Sequence, residues 1–256
     1  MTSRPFQIPA HDRDISINIA RWDELIRAVN DRLEQRRGFA IVTANLDHIV
    51  KLRSDPAFQE AYLRHDLRVA DGNPVVWLSK LARRPVELIP GADMIRPLTS
   101  LAAERDVPVA LIGTTDAALS AAADRLRAEN PGLRVACTIS PPMGFEPEGD
   151  AARAYIDEIA VSGARLVFIA LGAPKQERLA AFALDHSAGL GFVSIGAGLD
   201  FIAGHQKRAP AWVRRLTLEW FWRFCTNPGR LAKRYLLCAI ILPGLMLYAL
   251  RQRRQS

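Results

Sequence analysis

Four uninterrupted apolar runs, at residues 39–44 (FAIVTA), 107–113 (VPVALIG), 166–172 (LVFIALG) and 191–196 (GFVSIG), alternate along the chain with segments of helical periodicity. A strand apolar at nearly every position must be covered on both faces, and strands separated by helices pair in parallel. The runs therefore predict an α/β fold: a mainly parallel, Rossmann-like sheet covered by helices on both sides.

Weaker signals complete the order. Trp22, Leu25, Ile26, Val29 and Leu33 share one helical face, with Gly38 as the expected C-cap. LDHIVKLR reads as a helix after the first run, and Ser54-Asp55-Pro56 opens another with a capping residue ahead of a first-turn proline. LRVADG is a short strand leading into the helix PVVWLSKLA. From Gly91 the alternation is regular, with helices over GADMIRPLTSLAAE, DAALSAAADRLRAE, GDAARAYIDEIAVSG and ERLAAFALDH, and a strand in LRVACTI that ends in a Pro-rich loop. The predicted organisation is an α/β body over residues 1–204, with halves of about 1–100 and 101–204, and an appendage over 205–256.

The boundary near Gly204 is a change of composition. Residues 205–256 hold eleven Lys and Arg against one acid, Glu219; since the whole chain carries +7, the body is net −3. The appendage also holds Trp212, Trp220, Phe221, Trp222 and Phe224, then an uncharged 16-residue run at 235–250 between RLAKR and RQRR. Aromatics and arginines around an apolar segment suit an anionic membrane surface, while nucleic acid would call for basic residues on a polar, solvated face. The run is shorter than the roughly 20 residues of a spanning helix and contains Pro243-Gly244, so a dipping or interfacial segment is expected. Arg215, Glu219 and Arg223 recur at four-residue spacing beside an apolar stripe of Val213, Leu216, Trp220 and Phe224, as on a helix lying along a surface. Three cysteines show neither an even count nor paired CxxC spacing, which favours reduced thiols in a cytosolic setting; the N-terminus lacks a signal-peptide pattern.

In a parallel sheet, ligands bind outside the carboxyl ends of the strands. Five polar or Gly-containing turns fall at such ends: Thr43-Ala44-Asn45, Asp71-Gly72-Asn73, Gly113-Thr114-Thr115, the segment Gly172, Ala173, Pro174, Lys175, Gln176, Glu177, and Gly196-Ala197-Gly198 with Asp200. Glycine lets backbone N–H groups approach a phosphate, and a following helix N-terminus favours negative charge, so a phosphorylated nucleotide is the natural ligand. Neither GxxxxGK[ST] nor GxGxxG occurs. Asp71 stands where a carboxylate can act as a general base or bind a sugar hydroxyl, and also where an Asp-Gly turn needs nothing more. Thr43 and Asn45 suit polyol recognition, although Asn45 equally suits a helix cap. For Lys175, Gln176 and Glu177, capping and a solvated first helical turn stand beside a part in the nucleotide site, and His48 and His65 read as helix-surface residues. No cofactor and no metal-ligand spacing is evident.

At these residues the chain resembles the WecG/TagA/CpsF family of bacterial glycosyltransferases (glycosyltransferase family 26), through TANLDHIV, ADGNPVVWLSKL, PGADM, PPMGFEP, LGAPKQE, SIGAGLDFIAG and RAPAWVRRLTLEWFWRF. The resemblance implies inverting transfer of a sugar from a UDP-sugar to a polyprenyl-pyrophosphate-linked saccharide, without a DxD-bound metal, at the cytoplasmic face of the bacterial inner membrane. It places the base on Asp71, acceptor or sugar contacts on Thr43 and Asn45, and nucleotide contacts on Gln176 and Asp200 with the turns around them: Gly113, Thr114, Gly172, Ala173, Pro174, Glu177, Gly196 and Gly198. It makes the first half of the body the acceptor half and the second the nucleotide half, and gives Arg214 and Arg223 of the appendage a part in closing the site. Many members carry an Arg where this chain has Val86-Glu87-Leu88-Ile89, so any role of that Arg is absent or supplied elsewhere. The apolar run after Tyr235 resembles exopolysaccharide-type members, and the donor sugar (N-acetylmannosamine or glucose type) and homo-oligomerisation stay open. Two other classes are weighed against this one: a Rossmann-like nucleotide-dependent enzyme such as an oxidoreductase, and an inert membrane scaffold of a polysaccharide assembly complex.

Overall fold

The structure is a computed structural model that describes residues 4–206, 209–210, 212–213, 217, 219–226 and 228–254. At its centre is a six-stranded parallel sheet with the spatial order β4 (Leu67–Ala70), β3 (Phe39–Ala44), β8 (Gly191–Ser194), β7 (Leu166–Ala170), β5 (Val109–Gly113), β6 (Val135–Ile139). The apolar runs are its four central strands, and the two strands with weaker signals are its edges. Side chains alternate as the pleat requires. Phe39, Ile41, Leu111, Phe168 and Val193 share a core with α1 (Trp22–Glu34), α5 (Gly91–Glu104), α6 (Asp116–Glu129) and α9 (Gly198–Ala203). Their neighbours Ala40, Ile112, Val167 and Phe192 pack on α7 (Asp150–Val161) and α8 (Lys175–His186). Val42, Ala44 and Ala70 pack on α2 (Leu46–Ser54), α3 (Pro56–Leu63) and α4 (Asn73–Leu81).

Several features differ from the sequence expectation. An antiparallel hairpin, β1 (Phe6–Ile8) with β2 (Ile15–Ile17), precedes α1 and buries its four apolar ends in the α2–α4 core. Helix α1 stops at Glu34, and Arg36 takes a left-handed φ of 53°. Gly38 is therefore not the cap; it lies in the approach to β3, where a Cβ would stand 3.3 Å from Gly189 N.

The appendage forms α10 (Glu219–Thr226) and a single helix α11 (Pro228–Arg253) that continues through Pro243. No interruption occurs at Pro243-Gly244: Pro243 is exposed, so the Ala239 carbonyl it deprives of a donor faces outward. The stretch Leu231–Arg253 is long and apolar enough to cross a membrane. Thr217, at φ 62°, precedes α10, so Val213 and Phe224 do not belong to one continuous helix; Arg215 and Leu216 lie outside the described residues.

One stripe of α11 faces the body. Leu245 and Ala249 enter the core of α2, α3, α4 and the hairpin. Buried Gln252 accepts the Gln7 N–H at 2.9 Å and an Arg84 Nη1–H at 3.1 Å, and donates to the Gln7 carbonyl at 2.9 Å. Arg234 pairs with Asp47 at 3.1 Å and Tyr248 with Asp14. The opposite stripe, Leu236, Ile240, Leu247 and Leu250, is exposed.

Candidate active site

Parallel pairing brings the five turns to one edge of the sheet. The Asp71 N–H donates to the Ala44 carbonyl at 2.7 Å, so β3 and β4 are still in register where their turns begin. Gly72, at φ 107°, swings the chain into α4, and a Cβ there would lie 3.8 Å from Asn45 Cβ. Half-buried Asp71 and Asn45 thus stand on adjacent turns. Asn45 caps α2, its Oδ1 accepting the His48 N–H at 3.0 Å. Thr43 is buried at the end of β3, and its carbonyl accepts the Tyr62 hydroxyl at 3.0 Å.

The other three turns are tied to one another. Thr114 donates its hydroxyl to Asp200, which also accepts from Gln206 Nε2 at 3.0 Å, while Ser140 Oγ donates to the Thr114 carbonyl at 2.8 Å. The β7 turn passes Gly172 and the cis Ala173–Pro174 peptide into α8. Lys175 Nζ reaches across to the Phe145 carbonyl at 2.7 Å and holds the Pro-rich loop against the site. Gln176 and Glu177 are not a solvated first turn: they are 3% and 0% exposed. The Gln176 Oε1 accepts the Gly196 N–H at 3.0 Å and its Nε2 donates to Glu177 Oε1 at 2.7 Å, so this amide spends both ends on protein.

The glycines divide into two kinds. A Cβ at Gly113 would meet the Ala170 carbonyl oxygen at 2.4 Å, and one at Gly198 would meet Ile95 Cδ1 at 2.5 Å; both positions need glycine for packing. Gly172 and Gly196, at φ 71° and 57°, have nothing within 4 Å of a Cβ and present open backbone at the edge. Gly113→Ala combines a φ of 118° with that overlap, and is expected to lower the melting temperature by roughly 5–10 °C in thermal unfolding.

His48 and His65 are buried, not on the surface: they are 4% and 1% exposed. His65 Nδ1 bonds to the Ala61 carbonyl at 2.9 Å. His48 packs edge-on to the Phe58 and Tyr62 rings, with Nε2 3.8 Å from Glu177 Oε1. The readable signal was the spacing of His48 with Ile49 and Leu52, which put it on the apolar face of α2. Arg214 lies outside the described residues, and Arg223 belongs to α10 with its side chain outside them. Among the described residues, no three His, Cys, Asp or Glu side chains gather as a metal-ligand set.

A family model described as the glycosyl transferase WecG/TagA/CpsF family matches residues 13–256. The chain belongs to the WecG/TagA/CpsF glycosyltransferase family. It is 30% identical over 199 residues to the N-acetylglucosaminyldiphosphoundecaprenol N-acetyl-beta-D-mannosaminyltransferase of Bacillus spizizenii, an alignment covering 77% of this chain and 75% of that one. The family match runs to the last residue, so the glycosyltransferase region takes in α11 as well as the sheet edge that carries Asp71.

Proposed function

We propose that this glycosyltransferase moves a sugar, with inversion, from a UDP-sugar to a polyprenyl-pyrophosphate-linked saccharide in bacterial cell-surface or exopolysaccharide biosynthesis. The observation that carries the reading is the sheet edge itself: a half-buried carboxylate, Asp71, beside Asn45, along the same edge as the open Gly172 and Gly196 turns. Asp71 takes the proton of the acceptor hydroxyl as that oxygen bonds to the anomeric carbon and the bond to UDP breaks. The departing diphosphate needs positive charge or N–H donors, which the Gly172 turn and the appendage arginines Arg214 and Arg223 supply in this reading, the Gly196 N–H being held by Gln176. The mannosaminyltransferase named above makes an N-acetylmannosamine donor the first to test.

Helix α11 supports a monotopic placement on an anionic membrane surface, which in this reading is the cytoplasmic face of the inner membrane. Its 26 residues measure about 39 Å, enough to cross a bilayer. A crossing would carry Asp14, Arg84, Gln7 and Asp47, which bond to the body-facing stripe, into hydrocarbon, where unsolvated polar groups are costly. Lying in the interface keeps those bonds and inserts only the outer stripe. An apolar cavity of about 580 Å³ between α10 and α11, lined by Trp220, Phe221, Phe224, Tyr235 and Leu236, is continuous with that stripe.

The test is a panel of UDP-sugars offered with a synthetic polyprenyl-pyrophosphate-linked N-acetylglucosamine in anionic vesicles. UDP release matched by glycosylated lipid is expected with one donor, and none with any donor overturns the reading. UDP binding, followed by calorimetry, is expected to survive EDTA, because the proposed contacts are backbone N–H groups and side chains; a strict Mg²⁺ or Mn²⁺ requirement contradicts it.

A further inference from the structure

The turns at the site edge are joined underneath by buried polar side chains. Gln176 accepts the Gly196 N–H and donates to Glu177 Oε1, and that same oxygen lies 3.8 Å from Nε2 of His48, on the helix that Asn45 caps. The chain of groups thus runs from the β8 turn, through the start of α8, to the β3 turn. Glu177 Oε2 and His48 Nδ1 have no hydrogen-bond partner. The groups that face His48 are Asp47 and Lys51 from its own helix, Arg234 from α11, the Thr43 carbonyl from β3, Glu177 from α8, and the Phe58 and Tyr62 rings from α3. Asp47 is already paired with both Lys51 and Arg234, so neither cation is committed to Glu177.

A lone carboxylate or a lone imidazolium in this place is an uncompensated buried charge, whereas the two groups holding one dissociable proton between them are neutral as a unit. We propose that buried His48 and Glu177, 3.8 Å apart and so beyond hydrogen-bond distance, carry one dissociable proton in total and that, through Gln176, the pair positions the Gly196 turn against the Asn45 turn. Loss of solvation pushes the Glu177 carboxyl up from its ordinary 4.5 and the His48 imidazole down from its ordinary 6.5. Between pH 4.5 and 6.5 the unfolded chain carries one proton on these two groups, on His48, and the folded pair also carries one. The pair therefore leaves stability independent of pH in that window.

Removing one partner uncovers opposite slopes. In Glu177→Gln, His48 is neutral when folded and protonated when unfolded, so stability falls as pH drops from 6.5 toward 4.5, approaching about tenfold in the folding equilibrium per pH unit. In His48→Gln, Glu177 is protonated when folded and ionised when unfolded, so stability falls as pH rises through the same window. The double variant returns to the parental slope. The experiment is denaturant unfolding of the full chain in nonionic detergent at several pH values; single variants that run parallel to the parent overturn the one-proton count. Should a single variant fail to fold, ¹⁵N NMR of the parental His48 ring decides: a ring that keeps its state from pH 4.5 to 6.5 is expected, and one titrating near 6.5 overturns the proposal.

The consequence for transfer rests on the glycosyltransferase reading; the proton count does not. Glu177→Leu, which leaves the Gln176 amide without its acceptor, is expected to raise KM for the nucleotide sugar by about tenfold, with Glu177→Gln recovering most of that loss. An unchanged KM in Glu177→Leu overturns the positioning role, whereas a parent inactive with every donor tells against the reaction and leaves the pair standing.

Discussion

Asp71→Asn is expected to lower sugar transfer by about 10²-fold or more while moving the melting temperature by only a few degrees. Asparagine matches aspartate in shape and keeps one acceptor oxygen, so the substitution removes the negative charge and with it the capacity to take a proton. Asp71 is half-buried at the mouth of β4, where its backbone N–H, not its side chain, continues the ladder to Ala44. The variant keeps that main-chain bond. A base acts only as the acceptor hydroxyl attacks, so the loss belongs in kcat and not in KM for the donor. Turnover within a few-fold of the parent, by a protein shown to fold, removes Asp71 from the reaction.

The sheet was legible because its central strands are apolar at nearly every position, a pattern with few other uses at that length. The five turns followed from it, since parallel strands bring all their carboxyl ends together. What escaped was polar and buried. Gln176 and Glu177 open a helix after a proline, where polar residues ordinarily meet solvent, and only the approach of α2, α3 and Gly196 in three dimensions closes that position. His48 was hidden for the same reason: its partner is 129 positions away in the chain, as the numbers of the pair show. The hairpin strands, FQI and ISI, are three residues each, too short for alternation to register, and gain their stability from the core that they share with α11. Pro243 leaves the helix unbroken, because an exposed carbonyl can lose its helical donor without being buried unsatisfied.

Leu236→Glu, Ile240→Glu and Leu247→Glu together are expected to release the protein from anionic vesicles and to abolish transfer to a lipid-linked acceptor, with the melting temperature in detergent nearly unchanged. These side chains are 62%, 64% and 62% exposed, so the fold does not depend on them. At about 1.5–3 kcal/mol for each fully buried Leu or Ile, half-insertion of all three contributes about 3 kcal/mol, roughly a hundredfold in partitioning, before the repulsion between three carboxylates and the leaflet. Lys233, Arg251, Arg253 and Arg254 add about 1 kcal/mol for each that reaches the headgroups, a contribution that salt screens. Deleting the appendage is a poorer test, because it also strips Leu245, Ala249 and Gln252 from the core and from Gln7 and Arg84. Co-sedimentation with anionic and zwitterionic vesicles at low and high salt, beside a turnover assay, reads both effects on the same samples. If the triple variant still sediments but changes from dimer to monomer by size-exclusion chromatography, the outer stripe of α11 binds a second copy of the chain and the membrane contact lies elsewhere. If it releases from vesicles yet turns over a water-soluble acceptor analogue at the parental rate, α11 serves to bring the protein to a lipid-linked acceptor and takes no part in the transfer step.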